Sequence, residues 1–304
     1  MYIEPNPSLP TGPSQGYLEP ALESLLNRSM LQVHVVAELH RRGPWLAEIP
    51  PHECGLFHLV GSGRCQVECD ALDATMTLES GDLLIFPHSP RHRLSSTMED
   101  NPNHTSLICG EFRFTGTSRH PLNLALPACL VIRGAGASAT FRQLATTMAE
   151  VAHADCAGRN VLLNKLADAL FTAAICEYSR TASSRQGLFA SLTDPRIARV
   201  VQAVHDHPGN VWTMQSMATL ACMSRSSFAE RFKQLMKLPP IQYVTQWRVG
   251  LAEQLLRNRE QTVAGIAQDL GYSSEAAFRR LFKRVSGMSP GKVRADGVRP
   301  LTWN

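Results

Sequence analysis

Between residues 213 and 290 apolar positions recur at helical spacing, and they do so twice. One stretch reads Ser226-Ser227-Phe228-Ala229-Glu230-Arg231-Phe232-Lys233, with Pro240 seven residues beyond the last Phe block. Fifty residues later the chain reads Ala276-Ala277-Phe278-Arg279-Arg280-Leu281-Phe282-Lys283, followed by Pro290. In each, two Phe rings at i and i+4 share one buried helix face, and cationic and small polar residues take the other. Each block follows an apolar-patterned helix and a short turn, so the pattern predicts a helix-turn-helix written twice.

The flanking residues predict where these helices start and stop. Asp194 is an N-cap with Pro195 in the first turn, and that helix runs to about Asp206 before Pro208-Gly209. The next starts at Thr213. Ser224 caps the first repeat helix, which reaches about Met236, and Pro240 opens a long helix to about Arg257. A helix from Thr262 to Leu270 ends on Gly271, which supplies a positive-φ turn. The second repeat helix runs from about Ser274 to Val285 and stops at Gly287. Seven helices are expected over residues 194–298.

Upstream the period changes. From about 31 to 133 short apolar alternations such as Val33-His34-Val35-Val36, Leu56-Phe57-His58-Leu59-Val60 and Leu83-Leu84-Ile85-Phe86 are broken by Gly61-Ser62-Gly63 and Ser80-Gly81-Asp82. Many short strands with frequent turns predict an antiparallel sandwich or barrel. Residues 138–181 return to a helical period, as either a pair packed on the sheet or a dimer helix; periodicity does not separate the two. Residues 1–30 are expected to be a flexible segment, 31–137 the barrel, 138–181 the helical segment, 182–193 a linker and 194–304 a separate helical domain. The fold class is α+β.

Charge sharpens this division. From residue 190 onward there are 16 Lys and Arg against 8 Asp and Glu, whereas the preceding residues hold 14 against 18. A basic half joined to a mildly acidic half fits one polyanion-binding domain. The chain begins without a basic start and apolar core, so no signal peptide is expected, and no apolar run approaches a membrane span. The eight cysteines are scattered rather than framed as a disulfide scaffold, which fits reduced thiols in a cytoplasmic protein with no membrane partner.

With Phe228 and Phe232 turned inward, Arg225, Ser226, Ala229 and Glu230 face outward, and the same rotation exposes Glu275, Ala276, Arg279 and Arg280. These are the expected base contacts, since Arg can donate two hydrogen bonds to guanine and Glu can accept from cytosine N4. Lys233, Lys283 and Arg284 lie further along and are expected at phosphates, as are the helix starts at Thr213 and Thr262. For any one of these residues the plain alternative is solvated helix surface; the doubled arrangement is what argues against it for all of them.

These residues resemble the AraC-type transcription regulators. The carriers are Met217-Ala218, Met223 to Phe228, Phe232-Lys233, Pro240, Tyr243, Trp247-Arg248, Ala252, Leu255-Leu256, Ile266-Ala267, Leu270-Gly271-Tyr272, Phe278, Phe282-Lys283, Gly287 and Ser289-Pro290. Cys222 departs from the family's usual Gly, and Val293 from its usual aromatic. A second resemblance covers about 80 residues upstream. Gly81 with Pro87-His88-Ser89-Pro90-Arg91-His92 is similar to the second cupin motif, with Ser89 in place of Gly, and Cys109 to Phe114 also looks cupin-like. The first cupin motif, with its metal-binding His-x-His pair, is absent; only His58 lies near its place.

The resemblance implies a DNA-binding regulator, an activator, acting as a homodimer with promoter DNA and RNA polymerase under control of a small-molecule or oxidant effector. An effector pocket is expected near His58, His92 and Cys109. A thiol-based, redox-responsive regulator is the alternative, with Cys109, Cys65 and Cys69 as its residues and Arg64, Arg91, His92 and Arg93 as groups that would lower a thiol pKa. Cys65 and Cys69 sit too far apart on a strand to share an ion, so no metal and no cofactor are expected. No catalytic motif is present. A cupin enzyme with an appended DNA-binding domain is the reading from another class, and a DNA-architectural protein without an effector is a further one.

Overall fold

The computed structural model describes residues 31–52, 54–70, 72, 74–96, 104–114, 125–181, 188–257 and 261–296, together with Leu22, Glu23 and Leu26. The expected flexible segment 1–30 and the first half of the expected linker, 182–187, otherwise lie outside them. The chain divides into two compact units, one built mainly of residues 31–113 and 126–182, the other mainly of residues 183–304.

In the first unit nine strands form two sheets. Strands β1 (Leu31–Arg41), β8 (Thr105–Phe114), β3 (Gly55–Ser62), β6 (Leu83–Phe86) and β9 (Leu130–Ile132) lie side by side in that order. Strands β2 (Leu46–Ile49), β7 (His92–Ser95), β4 (Arg64–Cys69) and β5 (Met76–Glu79) form the other sheet. Strand β3 pairs antiparallel with β6 and β8, β4 with β7, and β6 with β9, as alternating strands joined by short turns require. Val60, Leu84, Phe86 and Leu107 of the first sheet pack with Cys65, Val67, Leu78 and Leu94 of the second in one core. That core sets side-chain parity: Leu56, His58 and Val60 of β3 share the inner face with Leu107, Cys109 and Glu111 of β8. Gly110, between two inward residues, faces the other way, where a side chain would run into the His34 carbonyl and the Phe57 ring.

Helices α1 (Ala139–His153) and α2 (Arg159–Thr181) cover the outer face of the larger sheet. Ser138 caps α1 by accepting from the Phe141 amide, and Phe171 of α2 packs against Phe112 with tilted rings 4.4 Å apart. Edge strand β1 would leave unpaired amides; Asn164 Oδ1 accepts from Val35 N at 2.8 Å and Asp168 Oδ1 from Val33 N at 3.1 Å. Segment 138–181 thus packs on the sheet of its own chain.

In the second unit, residues 188–193 are not linker: they form helix α3 (Leu188–Thr193), because Leu188 and Phe189 find burial at 3% and 5% exposure. Seven further helices follow among the described residues: α4 (Pro195–Asp206), α5 (Met214–Leu220), α6 (Arg225–Met236), α7 (Pro240–Arg257), α8 (Val263–Asp269), α9 (Glu275–Ser286) and α10 (Pro290–Asp296). The expected caps are in place, with Asp194, Thr213, Ser224, Thr262 and Ser274 each accepting from a backbone amide two or three residues on. Phe228, Phe232, Tyr243 and Trp247 are buried on the first half of α7. Val249, Ala252 and Leu256 on its second half pack with Ile266, Phe278, Phe282 and Val293. Val293, which stands where the resembled family usually has an aromatic, is only 2% exposed and belongs to this core.

Candidate nucleic-acid interface and buried thiol–imidazole cluster

Each helix-turn-helix closes its turn in the same way. Met223 N donates to Ala218 O at 3.0 Å in the first, and Tyr272 N donates to Ala267 O at 2.9 Å in the second. The residue before each donor is left-handed: Gly271 at φ 76° and Cys222 at φ 53°. Gly271 is required on a second count, since a side chain there would run into the Gly209 carbonyl. Arg248 of α7 sits beneath this contact, donating to Pro208 O and Asn210 O at 2.7 Å each and lying 5.4 Å over the Tyr272 ring. The turn after α4, the turn after α8 and the connecting helix are therefore tied together, which holds the two helix-turn-helix motifs in one arrangement.

Along α6, Arg225, Ser226 and Glu230 are exposed and Ala229 is half-buried; along α9, Ala276, Arg279 and Arg280 are exposed and Glu275 is half-buried. Lys233, Lys283, Arg284, Thr213 and Thr262 are exposed as well. One contact was not anticipated: Arg279 and Glu275 pair at 2.6 Å across one turn of α9. An exposed pair of this kind contributes only about 0.3–0.5 kcal/mol, so Arg279 is readily released to another partner.

In the first unit the structure brings His58, His92 and Cys109 together. Strand register sets His58 opposite Cys109, and His58 Nδ1 lies 3.1 Å from Cys109 Sγ. His58 Nε2 reaches across to the other sheet and meets His92 Nε2 at 2.8 Å. His92 Nδ1 lies 2.8 Å from Pro90 O. Both imidazoles are almost fully buried, at 3% and 2% exposure, while Cys109 stays partly exposed. Burial, with the neighbouring imidazole second, lowers His58 to about 3, and burial lowers His92 too, so both rings are neutral. Burial, and then the nearby Cys65, pushes the Cys109 thiol up to about 12.

The arginines expected to activate a thiol do not reach it. Arg93 pairs with Glu48 at 2.9 Å and Glu68 at 3.2 Å, Arg91 with Glu48 at 3.1 Å, and Arg64 with Glu79 at 3.5 Å. Strand parity is the reason: His92 points inward and Arg93 outward, where it faces Glu48 and Glu68 on the flanking strands. Cys65 is fully buried, and Cys69 is in register with His92 and lies near Cys129. Ser89, in the place of the second cupin motif's Gly, adopts φ 38° and is fully buried, and its hydroxyl has no hydrogen-bond partner among the described residues. Among those residues no three His, Cys, Asp or Glu side chains gather into a metal site.

Three features escaped the sequence reading. Cys54 donates its thiol to the buried Glu111 carboxylate at 3.3 Å, one inward position along β8 from Cys109. Parity on β8 was the available signal for Glu111. A cleft of about 580 Å³ lies where β1 meets the start of α2, lined by Val35, Glu38, His40, Arg159 and Asn160 among others. Glu253, on α7, is only 1% exposed.

Comparisons with known proteins agree on both units. A family model described as Cupin matches residues 21–179, and one described as Helix-turn-helix domain matches residues 217–296. The chain is 29% identical over 259 residues to the RCS-specific HTH-type transcriptional activator RclR of Escherichia coli, covering 83% of this chain and 89% of that protein. It is also 29% identical over 301 residues to a putative AraC-like transcription regulator of Streptomyces lividans, covering 92% and 99%. Among solved structures, the DNA-binding domain of AdpA in complex with a target DNA is 33% identical over 33% of this chain and 89% of that one, with a TM-score of 0.32. These relatives are transcription regulators, which removes the cupin-enzyme reading, and no described helix is long and apolar enough to cross a membrane. The chain belongs to the AraC-type DNA-binding transcription regulators that carry a cupin domain ahead of a double helix-turn-helix domain.

Proposed function

We propose that this regulator reads its operator with α6 and α9 in successive major grooves and answers to an effector sensed by the cupin unit. The observation that carries the DNA reading is the pair of capped repeat helices whose polar faces are exposed while α7 and Arg248 tie them together. Base contacts are assigned to Arg225, Ser226, Ala229, Glu230, Glu275, Ala276, Arg279 and Arg280, and phosphate contacts to Thr213, Lys233, Thr262, Lys283 and Arg284. Arg280→Ala is expected to weaken operator binding by about 1–3 kcal/mol through one base position and to relax specificity there. Binding assays on single-base operator variants check this. Equal loss on every sequence, with a shallower salt dependence, would reassign Arg280 to a phosphate.

Activation, contact with RNA polymerase and a homodimer are part of the same proposal. The name of the RclR relative supports the first, and the exposed Val161 and Leu162 at the start of α2, 66% and 45% accessible, support the dimer. For the sensor, the thiol reading is favoured over a ligand held by His58, His92 and Cys109, because those side chains already satisfy one another. Replacing Cys109 by Ser is expected to abolish an oxidant response of a promoter fusion, since Ser forms no sulfenate. A full oxidant response in that variant removes the thiol switch and points to the cleft beside β1 as the ligand site.

A further inference from the structure

The hydrogen-bond chain from Cys109 to Pro90 has a direction. A carbonyl oxygen only accepts, so His92 Nδ1 carries the proton that meets Pro90 O. In a neutral ring His92 Nε2 is then the acceptor, and the proton between the two imidazoles sits on His58 Nε2. His58 Nδ1 is left bare, so the Cys109 thiol donates to it. One backbone carbonyl thus fixes both tautomers and aims a lone pair at the thiol. The groups around this chain are Cys65 beside Cys109, His52 beside His92, Cys69 in register with His92, and the Glu111–Cys54 pair along β8. None of them supplies a cation to the sulfur.

We propose that His58 and His92 form a proton relay that makes Cys109 a nucleophile toward small two-electron oxidants of the peroxide class. This rests on the thiol reading of the sensor. The sulfur lone pair attacks one peroxide oxygen, the S–O bond forms and the O–O bond breaks. As the sulfur is oxidised by two electrons, its proton passes to His58 Nδ1 and the His58 Nε2 proton passes to His92. The leaving hydroxide takes a proton back from the relay, giving a sulfenic acid and water. His58 exchanges the proton with the thiol and with the leaving hydroxide, and His92 is a positioning residue that acts through His58. Buried beside His58 and Cys65, the thiol is held near pKa 12, so the free thiolate is only about one part in 10⁵ at pH 7 and attack through it is negligible. The relay gives the proton a place to go during the attack, so it never has to reach solvent.

The test is the pH dependence of Cys109 oxidation by hydrogen peroxide in the full-length protein, read as dimedone-trapped sulfenic acid on the Cys109 peptide by mass spectrometry. In the natural protein the rate is expected to be nearly flat from pH 6 to 9. His58→Phe is expected to lower it at least tenfold at pH 7 and to make it rise about tenfold per pH unit, as free thiol ionisation dictates. His92→Gln still accepts from His58 and donates to Pro90 O, so it keeps His58 aimed at the thiol, but an amide cannot take the relayed proton; it is therefore expected to lose the flat profile, as His92→Phe does. A merely structural role for the imidazoles would change the rate but not the slope. The relay is overturned if the unaltered protein shows the steep slope, or if Cys109 stays unmodified at every pH. Operator binding by the same samples separates the two ideas: a flat profile with DNA binding untouched by complete oxidation upholds the relay and removes the switch.

Discussion

Acidification from pH 7.5 to pH 5 is expected to loosen the cupin unit by about 2 kcal/mol through His58 alone, and by more once His92 is included. His58 is held near 3 when folded, against an ordinary value of 6.5, because burial strips its cationic form of water. Its contribution is therefore fully present above pH 6.5. As pH falls below that value the unfolded chain binds a proton that the folded chain refuses, and stability drops by about 1.4 kcal/mol per pH unit for each such imidazole. The loss continues until the folded ring itself titrates near pH 3. Hydrogen exchange of β3 and β8 peptides in the full chain, corrected for the intrinsic pH dependence of exchange, measures it. Protection that stays constant between pH 7.5 and 5 would show that the pair is solvated or already shares a charge.

Local signals made the DNA-binding unit legible. Ser224 and Ser274 cap helices whose Phe pairs repeat at i and i+4, and each cap is observed accepting from the expected amide. The family departures were informative as well: Cys222 and Ser89, each standing where a Gly is usual, both occupy left-handed backbone. What failed was information held in register and parity. Arg93 neighbours His92 in sequence, but on a strand neighbours face opposite ways, so the charge expected beside Cys109 is spent on Glu48 and Glu68. That His58 should lie opposite Cys109 follows from how β3 and β8 align across 51 residues of chain, which no local pattern encodes. Residues 188–193 were mistaken for linker because a Ser-rich stretch precedes them, while the burial of Leu188 and Phe189 comes from tertiary contacts. Glu253 is a different kind of omission. It falls at the fourth position after Val249 and three before Leu256, on the apolar stripe of α7, and the helical period alone places it inside.

Glu253 gives the second unit a pH response of opposite sign. Burial raises its carboxyl to about 7 from an ordinary 4.5, with Arg257 offsetting this only in part, and Glu253 Oε1 meets no hydrogen-bond partner among the described residues. A raised carboxyl contributes fully below pH 4.5, where folded and unfolded forms are both protonated. As pH rises toward 7 the unfolded chain releases a proton that the folded chain keeps, and stability is lost, by on the order of 3 kcal/mol across that window. Glu253→Gln mimics the protonated form. It is expected to raise the free energy of opening α7 by about 2–3 kcal/mol at pH 8 and to leave it unchanged at pH 4.5. Hydrogen exchange of α7 peptides in the full chain reads both values, and a gain of equal size at the two pH values would trace the effect to packing rather than to ionisation. Since α7 ties α6 to α9 through Arg248 and the two Phe clusters, the same substitution should tighten the arrangement of the two helices above neutral pH. The two units then respond to acid in opposite directions, the first because buried His58 and His92 are kept neutral, the second because buried Glu253 is.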